Sequence, residues 1–280
     1  VYESYLVRSV VSEFSGFLLF KEISNRLKKN GNKDLSKLFT FLARDEARHA
    51  GFLSRALVAE GIEVDLPHLG GKRAATWFPI SWVIYSVYLS EKIGYWRYIL
   101  MDRHLKANPQ EAFAPLFDFF EPWCQDENRH GDCFTVMMRC WPGITSGFRG
   151  KLLSRFFLWS VFLTHTLTVC ERGDFYELLG IDPKEFDKEV IERTNHTSKN
   201  AFPWVFNLED EKFWELRTKI IKSFRSFVEA KGINKPVKLM KFVSLIFRQF
   251  ALPMEKTNAV RYDKQVAFTG QDLFNFWTDK

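Results

Sequence analysis

Two stretches of the chain carry the same string of ionisable groups, Asp45-Glu46-Ala47-Arg48-His49 and Asp126-Glu127-Asn128-Arg129-His130, both of the form Asp-Glu-x-Arg-His. In each, a Glu and a His stand three residues apart. On an α-helix that is ~4.5 Å along the axis and nearly the same face, so the carboxylate and the imidazole can address one point. A lone carboxylate precedes each string: Glu13 lies 33 residues before Glu46, and Glu91 lies 36 before Glu127. All four Glu are flanked at helical spacing by apolar or aromatic residues. Leu6, Val10, Phe17 and Phe20 flank Glu13; Phe39, Leu42, Leu53 and Leu57 flank Glu46. Ile84, Tyr88, Tyr95 and Tyr98 flank Glu91; Phe120, Trp123, Phe134 and Met137 flank Glu127. These faces should be buried, and a buried carboxylate must be protonated, paired or bound to a metal. Oxygen-rich ligation with two imidazoles suits iron or manganese better than zinc, and two divalent ions would cancel four carboxylate charges. Surface ion pairing explains most single Glu-x-x-His strings. It does not explain two copies, each with an upstream Glu on an apolar face. Asp45, Arg48, Asp126 and Arg129 are read as supporting groups, because a metal-bound imidazole usually donates its other N–H to a carboxylate. Each Asp could serve the His of the opposite motif; ion pairing along each helix is the alternative.

The elements that would position these residues read as helices. Tyr5 to Lys29 forms one, closed by Asn30-Gly31-Asn32. A second runs from an N-cap at Asp34 to Glu60, with Gly61 as its stop. After a polar connector, Glu63 to Arg73, a third spans about Ile80 to Ala107, and a fourth about Gln110 to Cys140, kinked by Pro115 and Pro122. Further helices fit Phe148–Glu171, Pro183–Asn200, Asp210–Lys231 and Pro236–Phe250. No alternating strand pattern stands out. The near-equal spacing within the two Glu pairs is what two antiparallel helix hairpins produce. One Glu from each of two helices plus Glu-x-x-His from each of two others is the di-iron carboxylate arrangement. The expected fold is an all-α, ferritin-like di-iron four-helix bundle over residues 1–145. Additional bundle helices follow over 146–205, then a basic amphipathic helical region over 206–280.

The 280 residues carry 40 Lys/Arg against 34 Asp/Glu, and 46% are apolar, enough for a sizeable core and too many for a disordered chain. The excess charge is local: Arg217 to Lys264 holds 12 Lys/Arg and 3 Asp/Glu, a net +9, leaving −3 elsewhere. A basic tail on a mildly acidic body argues against nucleic acid as partner and for a local anionic surface. Lys235–Phe250 has the pattern of an interfacial amphipathic helix, or of one packed on the bundle with a basic outer face. No span of ~20 apolar residues is present; the longest uncharged run, Phe156–Cys170, is shorter and contains polar residues. No secretory or transit signal is read at the start. Cys124, Cys133, Cys140 and Cys170 show no paired motif and read as buried thiols. Tyr88, Tyr95 and Tyr98, the tryptophans 77, 82, 96 and 159, and His165 have possible redox, stacking or magnesium-ligating roles. For all of them ordinary core packing is the preferred reading.

The strings VSEFSG (11–16), RDEARHAG (44–51), YLSEKIGYWRY (88–98) and WCQDENRHGD (123–132) closely resemble the aerobic magnesium-protoporphyrin IX monomethyl ester oxidative cyclase family of chlorophyll biosynthesis. FYELLGIDPKEFD (175–187) extends the likeness, which covers about residues 5–205. Thr164–Arg172 and the tail after about Lys231 depart from it. The resemblance implies two irons held by Glu13, Glu46, His49, Glu91, Glu127 and His130. It also implies oxygen-dependent oxidation of the porphyrin's methylpropionate arm and its closure into the isocyclic ring, giving protochlorophyllide. The partners implied are a magnesium-porphyrin substrate, a ferredoxin-type electron donor and small accessory proteins. The place implied is a plastid thylakoid or envelope membrane, with peripheral attachment. A non-catalytic, cyclase-like subunit of a photosynthetic membrane complex is the second reading. An iron-handling or peroxide-scavenging bundle is the third.

Overall fold

The computed structural model describes residues 2–66 and 76–259. Helix α1 (Tyr2–Lys29) turns back through Gly31 into α2 (Lys33–Ala59), and the two pack as an antiparallel hairpin. Asn32 caps α2, its side chain accepting from the Leu35 N–H at 3.2 Å. The expected cap, Asp34, lies inside the first turn, two positions past the true cap at Asn32. At the other end Gly61 adopts φ +74°. The Gly61 and Ile62 amides there bond back to the Val58 and Leu57 carbonyls, a Schellman closure that a β-carbon would strain. The connector between the hairpins falls largely outside the described residues.

Helix α3 (Ile80–Ala107) and α4 (Phe120–Cys140) form the second hairpin. The expected long fourth helix is corrected here. Pro109–Glu111 and Pro115–Phe119 are separate 3₁₀ turns, and α4 begins only at Phe120. Both prolines act as starters rather than kinks. Pro115 opens its 3₁₀ turn, and Pro122 lies in the first turn of α4, where its missing N–H has no intrahelical partner to lose. A buried lysine fastens the hairpin. Lys92 on α3 donates to the Asn128 carbonyl (3.0 Å), Asn128 Oδ1 (2.8 Å) and Asp132 Oδ1 (2.6 Å) on α4, and its stem runs over Gly131, where a β-carbon would lie 2.6 Å from Lys92 Cε. The hairpins meet through α2 and α4, whereas α1 and α3 face each other across a cleft.

Short α5 (Pro142–Thr145) leads into α6 (Gly147–Glu171), followed by α7 (Gly173–Leu178) and α8 (Pro183–Ser198). Asp182 caps α8 by accepting from the Lys184 and Glu185 amides. Helix α9 (Glu211–Glu229) and α10 (Asn234–Phe250) make a third hairpin. Its two ends are tied by an antiparallel pair that the sequence did not foreshadow, β1 (Trp204–Phe206) against β2 (Met254–Lys256). Three residues per strand are too few for an alternating pattern to register.

One continuous core runs from Tyr5 to Phe213, and a smaller one of Leu216, Ile220, Phe242 and Leu245 lies between α9 and α10. Helix α6 is long and apolar enough to cross a membrane by length and composition. Here Phe157, Leu158, Phe162, His165 and Val169 are buried, and α6 packs against α3, α8 and β1. Of the four cysteines only Cys124 is buried; Cys133, Cys140 and Cys170 are partly exposed, because they fall off the inward stripe of their helices. Arg217, counted above with the surface charge, is interior: its Nε donates to Asp187 Oδ2 at 3.1 Å and its Nη2 to Thr166 Oγ1 and the Phe162 carbonyl. Residues 260–264 of the basic stretch lie outside the described residues.

Candidate metal centre

Glu13 on α1, Glu46 and His49 on α2, Glu91 on α3, and Glu127 and His130 on α4 are all buried, and their side chains converge between the two hairpins. They form two overlapping groups: Glu13, Glu46, His49 and Glu127, and Glu46, Glu91 and His130. Within each group the candidate ligand atoms lie within 4.8 Å of one another, and Glu46 belongs to both. Each imidazole presents Nδ1 to this cluster. His49 Nδ1 is 3.2 Å from Glu13 Oε2 and 3.5 Å from Glu127 Oε1. His130 Nδ1 is 3.1 Å from Glu46 Oε1 and 3.3 Å from Glu91 Oε2. The His49–Glu13 and His130–Glu91 approaches are hydrogen bonds, whereas the buried Glu46 Oε1 makes none.

The supporting residues cross between hairpins. His49 Nε2 faces Asp126 Oδ2 of the other motif at 3.2 Å, within hydrogen-bond reach. His130 Nε2 faces Asp45 Oδ2 at 3.6 Å, beyond a direct bond. Arg48 bridges both aspartates, 2.5 Å from Asp126 Oδ2 and 3.2 Å from Asp45 Oδ1, while Arg129 pairs along its own helix with Asp126. Which imidazole nitrogen faces the cluster is a tertiary fact. The crossed placement of Asp and His was one of the two readings the sequence offered, and the structure brings Asp126 to His49 and turns Asp45 toward His130.

Electrostatics follow from burial. Glu46 is held well above the usual carboxylate range by desolvation and then by repulsion from Glu13 and Glu91; Glu127 is raised by desolvation, then by Glu91 and Glu13. For His49, burial alone would lower the imidazole. Hydrogen bonding to Asp126 and Glu13 outweighs it and lifts the group to about 9. His130 is raised as well: burial opposes it, but Asp45, Glu46 and Glu91 prevail. Asp126 goes the other way. Burial would raise it, and the His49 and Arg48 contacts bring it down to about 2. A metal-free cluster therefore retains protons at neutral pH that cations must displace. Iron uptake at pH 7 is expected to release more than one proton per chain, and affinity is expected to fall as pH falls. Indicator-dye titration checks this, and uptake with no proton release would contradict it.

The contacts that Trp123 and Gly16 make with the carboxylates were not visible in the sequence. Trp123 Nε1 donates to Glu127 Oε1 at 2.7 Å, fixing that carboxylate, and its ring stacks on Tyr98 at 4.0 Å. Gly16 faces Glu46: a β-carbon there would sit 2.6 Å from Glu46 Oε2. Gly16→Ala should displace the Glu46 carboxylate and lower iron retention about tenfold or more while leaving helicity intact, a loss of the size seen for metal-site supporting residues. Metal analysis after dialysis reads the effect. The glycine stood in the sequence, but nothing local marked it as a contact across hairpins. Other singled-out residues are core or surface groups. Tyr88 donates to the Thr197 carbonyl (3.3 Å), Trp96 to Thr197 Oγ1 (2.9 Å), and Tyr95 packs on Trp96. Trp159 packs edge-on to Phe250, while Trp77 and Trp82 are exposed. His165 is buried and lines none of the cavities described here; burial first, then Arg97 and Arg217, lowers it well below the usual imidazole range.

Two cavities flank the cluster. One of about 270 Å³ lies in the α1–α3 cleft and is lined by all four Glu and neither His. The other, about 860 Å³, lies behind His49 and Asp126, with Phe52, Phe119 and Trp123 on its walls and Arg48, Arg55 and Arg129 among its lining.

A family model described as Rubrerythrin matches residues 4–138, the two hairpins that carry all six converging side chains. The chain is 77% identical over 262 residues to the magnesium-protoporphyrin IX monomethyl ester (oxidative) cyclase of Prochlorococcus marinus strain MIT 9313, covering 94% of this chain and 75% of that relative. The chain belongs to this cyclase family. It is also 50% identical over 242 residues (86% of this chain, 68% of the relative) to cyclase 1 of Nostoc sp. PCC 7120. With cyclase 2 of Thermosynechococcus vestitus it shares 48% over 248 residues (89% and 70%). No solved structure matches. The likeness to the Prochlorococcus cyclase reaches past residue 205 into the region the sequence reading set apart, since 262 aligned residues cannot fit within 5–205. In this cyclase-family chain the ferritin-like all-α fold and a buried carboxylate–histidine cluster compatible with iron therefore coincide.

Proposed function

We propose that the chain is an oxygen-dependent oxidative cyclase that oxidises the methylpropionate arm of magnesium-protoporphyrin IX monomethyl ester and closes it into the isocyclic ring, giving protochlorophyllide. The observation that carries this reading is the convergence of four Glu and two His in a chain 77% identical to a protein of that name. The donor set suits two irons: four carboxylates balance two divalent charges, and both imidazoles turn Nδ1 inward. Glu13, Glu46, His49, Glu91, Glu127 and His130 would hold them. When bound, the metal supplies the oxygen activation that attack on an unactivated C–H bond requires.

The chain's own groups do the rest. Asp126 accepts from His49 Nε2–H and so holds the ring with Nδ1 free toward the cluster; Arg48 steadies Asp126. Phe20, Phe134, Trp123 and Tyr98 are buried around the cluster and exclude water that would quench a strong oxidant. Arg48, Arg55 and Arg129 line the groove behind His49, which supports docking of an acidic, ferredoxin-type electron donor on that side. Small accessory proteins complete the assembly.

We place the protein at the surface of an anionic photosynthetic membrane such as the thylakoid, attached peripherally. Two exposed surfaces support this. Trp77, Phe78, Trp82 and Phe156 form an aromatic chain continuous along α6 with Leu152 and Phe148. Helix α10 exposes Val237, Met240 and Phe247 beside Lys235, Lys238 and Lys241. Binding to anionic vesicles is expected to exceed binding to neutral ones and to weaken toward 1 M salt, where the Debye length is ~3 Å. Flotation measures it; equal binding to both vesicle types would remove the electrostatic part.

The deciding experiment incubates purified, iron-loaded protein with the porphyrin ester, oxygen and a reduced ferredoxin system, and follows the product spectrum. About two irons per chain and ring closure are expected. Two irons with no turnover, accessory proteins supplied, would replace this reading with a non-catalytic subunit of a photosynthetic complex.

A further inference from the structure

The cavity in the α1–α3 cleft is the one that opens directly onto the carboxylates. All four Glu line it, and Gly16 and Gly94 thin its walls, so that a β-carbon at Gly94 would come within 3.5 Å of Glu127 Oε2. Its volume of about 270 Å³ is below the ~300 Å³ at which pockets begin to enclose drug-sized ligands. It admits side-chain arms and excludes a tetrapyrrole ring. Arg97, on α3, also lines this cavity.

Arg97 is an unusual cation. Its guanidinium lies 5.1 Å over the Tyr98 ring, and among the described residues it forms neither an ion pair nor a hydrogen bond; its Nε is buried without a partner. Behind it Arg172 lies 5.3 Å over the Tyr5 ring, also with an unpartnered buried Nε, and the hydroxyls of Tyr5 and Tyr176 are likewise unsatisfied. Buried polar atoms are nearly always hydrogen-bonded, so Arg97, the orphaned cation that lines the cavity, calls for a partner. The four Glu do not supply it, since two divalent cations would already balance them. The positive charge at Arg97 is left over.

The substrate class of the cyclase reading supplies the missing anion. A monomethyl ester of a porphyrin with two propionic acid arms keeps one free carboxylate, next to the esterified arm that must reach the metal side. We propose that Arg97 binds the free propionate carboxylate of the substrate and so directs the esterified arm to the Glu13–Glu46–Glu91–Glu127 cluster. The macrocycle stays outside, against the α1–α3 cleft, with both arms in the cavity. Arg97 is a positioning residue; it selects for a substrate carrying one free acid.

This inference rests on the cyclase reading, and the test separates the two. Iron-loaded protein is titrated with magnesium-protoporphyrin IX monomethyl ester and with its dimethyl ester, in the same detergent, and binding is read from the porphyrin absorbance. The unmutated protein should prefer the monoester by about 10- to 100-fold, the range of a charge-assisted carboxylate contact. Arg97→Met should lower monoester affinity by that factor and leave diester affinity within about threefold. Arg97→Lys should recover part of the preference, because an ammonium keeps the charge but loses the two-pronged geometry. Equal affinity of the unmutated protein for both esters overturns the role of Arg97 and leaves the cyclase reading standing. A preference that survives in Arg97→Met overturns it too. Failure to bind either ester removes the substrate reading, and this inference with it. The two-ester comparison needs no variant to fold.

Discussion

Glu127→Ala is expected to abolish ring closure and reduce bound iron from about two per chain to less than one, with nearly unchanged helical content. Glu127 sits within 3.5 Å of His49 Nδ1 and inside one of the two ligand groups, and no other carboxylate on α4 points to the same place. Groups that merely steady a ligand cost 10- to 100-fold in metal affinity when removed, so losing a ligand should cost at least about 100-fold. The fold should survive, because the metal-free cluster contains mutually repelling, desolvated carboxylates, and deleting one relieves that repulsion. The structural cost is the orphaned Trp123 indole N–H, about 1–3 kcal/mol. Iron analysis, circular dichroism and the cyclase assay read these effects. Lys241→Ala, on the far face of α10, should spare the chemistry in detergent and weaken vesicle binding. Full activity in Glu127→Ala would show that the cluster is not where the reaction occurs.

The second large effect is on stability. Asp187 on α8 is buried and accepts from Thr166 Oγ1 on α6 (2.7 and 2.8 Å to its two oxygens) and from Arg217 Nε on α9 (3.1 Å). Arg217 is buried as well, and burial lowers its guanidinium below the usual range, which Asp187 opposes. One carboxylate thus joins three helices. Asp187→Ala leaves the cation buried without its anion, and removal of one member of such a pair costs about 3–5 kcal/mol. Replacing both, Asp187→Leu with Arg217→Leu, should cost clearly less, since apolar residues of similar bulk can substitute for a buried pair. Denaturant unfolding of the three variants separates these outcomes; a double variant as unstable as Asp187→Ala would assign the loss to shape, not charge.

The sequence was legible where chemistry is local. Glu46 and His49 share a helix face by spacing alone, and the second copy at Glu127 and His130 repeats it, so the residues that converge can be named from the sequence. The helices α1, α2, α3, α6 and α8 to α10 followed from period and capping. What stayed hidden depended on contacts far apart in the chain. Arg217 reads as surface charge until Asp187 appears beside it. Gly16 reads as an ordinary helix residue until Glu46 is seen against it, and Arg97 as one more basic residue among 40. Pro115 and Pro122 were misjudged because the same residue breaks a helix interior and opens a helix start, and only the true boundary at Phe120 tells which applies.

Each histidine faces the other motif's aspartate, and that crossing bears on how such a centre is built. Were the two hairpins separate and identical, they could associate about a two-fold axis, each copy lending its Asp to the other's His in an isologous contact. Joining such copies end to end would yield the repeat seen in this chain, with the axis preserved inside one polypeptide. Either half alone, cut in the connector around residues 67–75, would hold a Glu-x-x-His string and a lone Glu but would leave its histidine without the aspartate that faces it. The centre is thus a property of the pair of hairpins, and neither contains it alone.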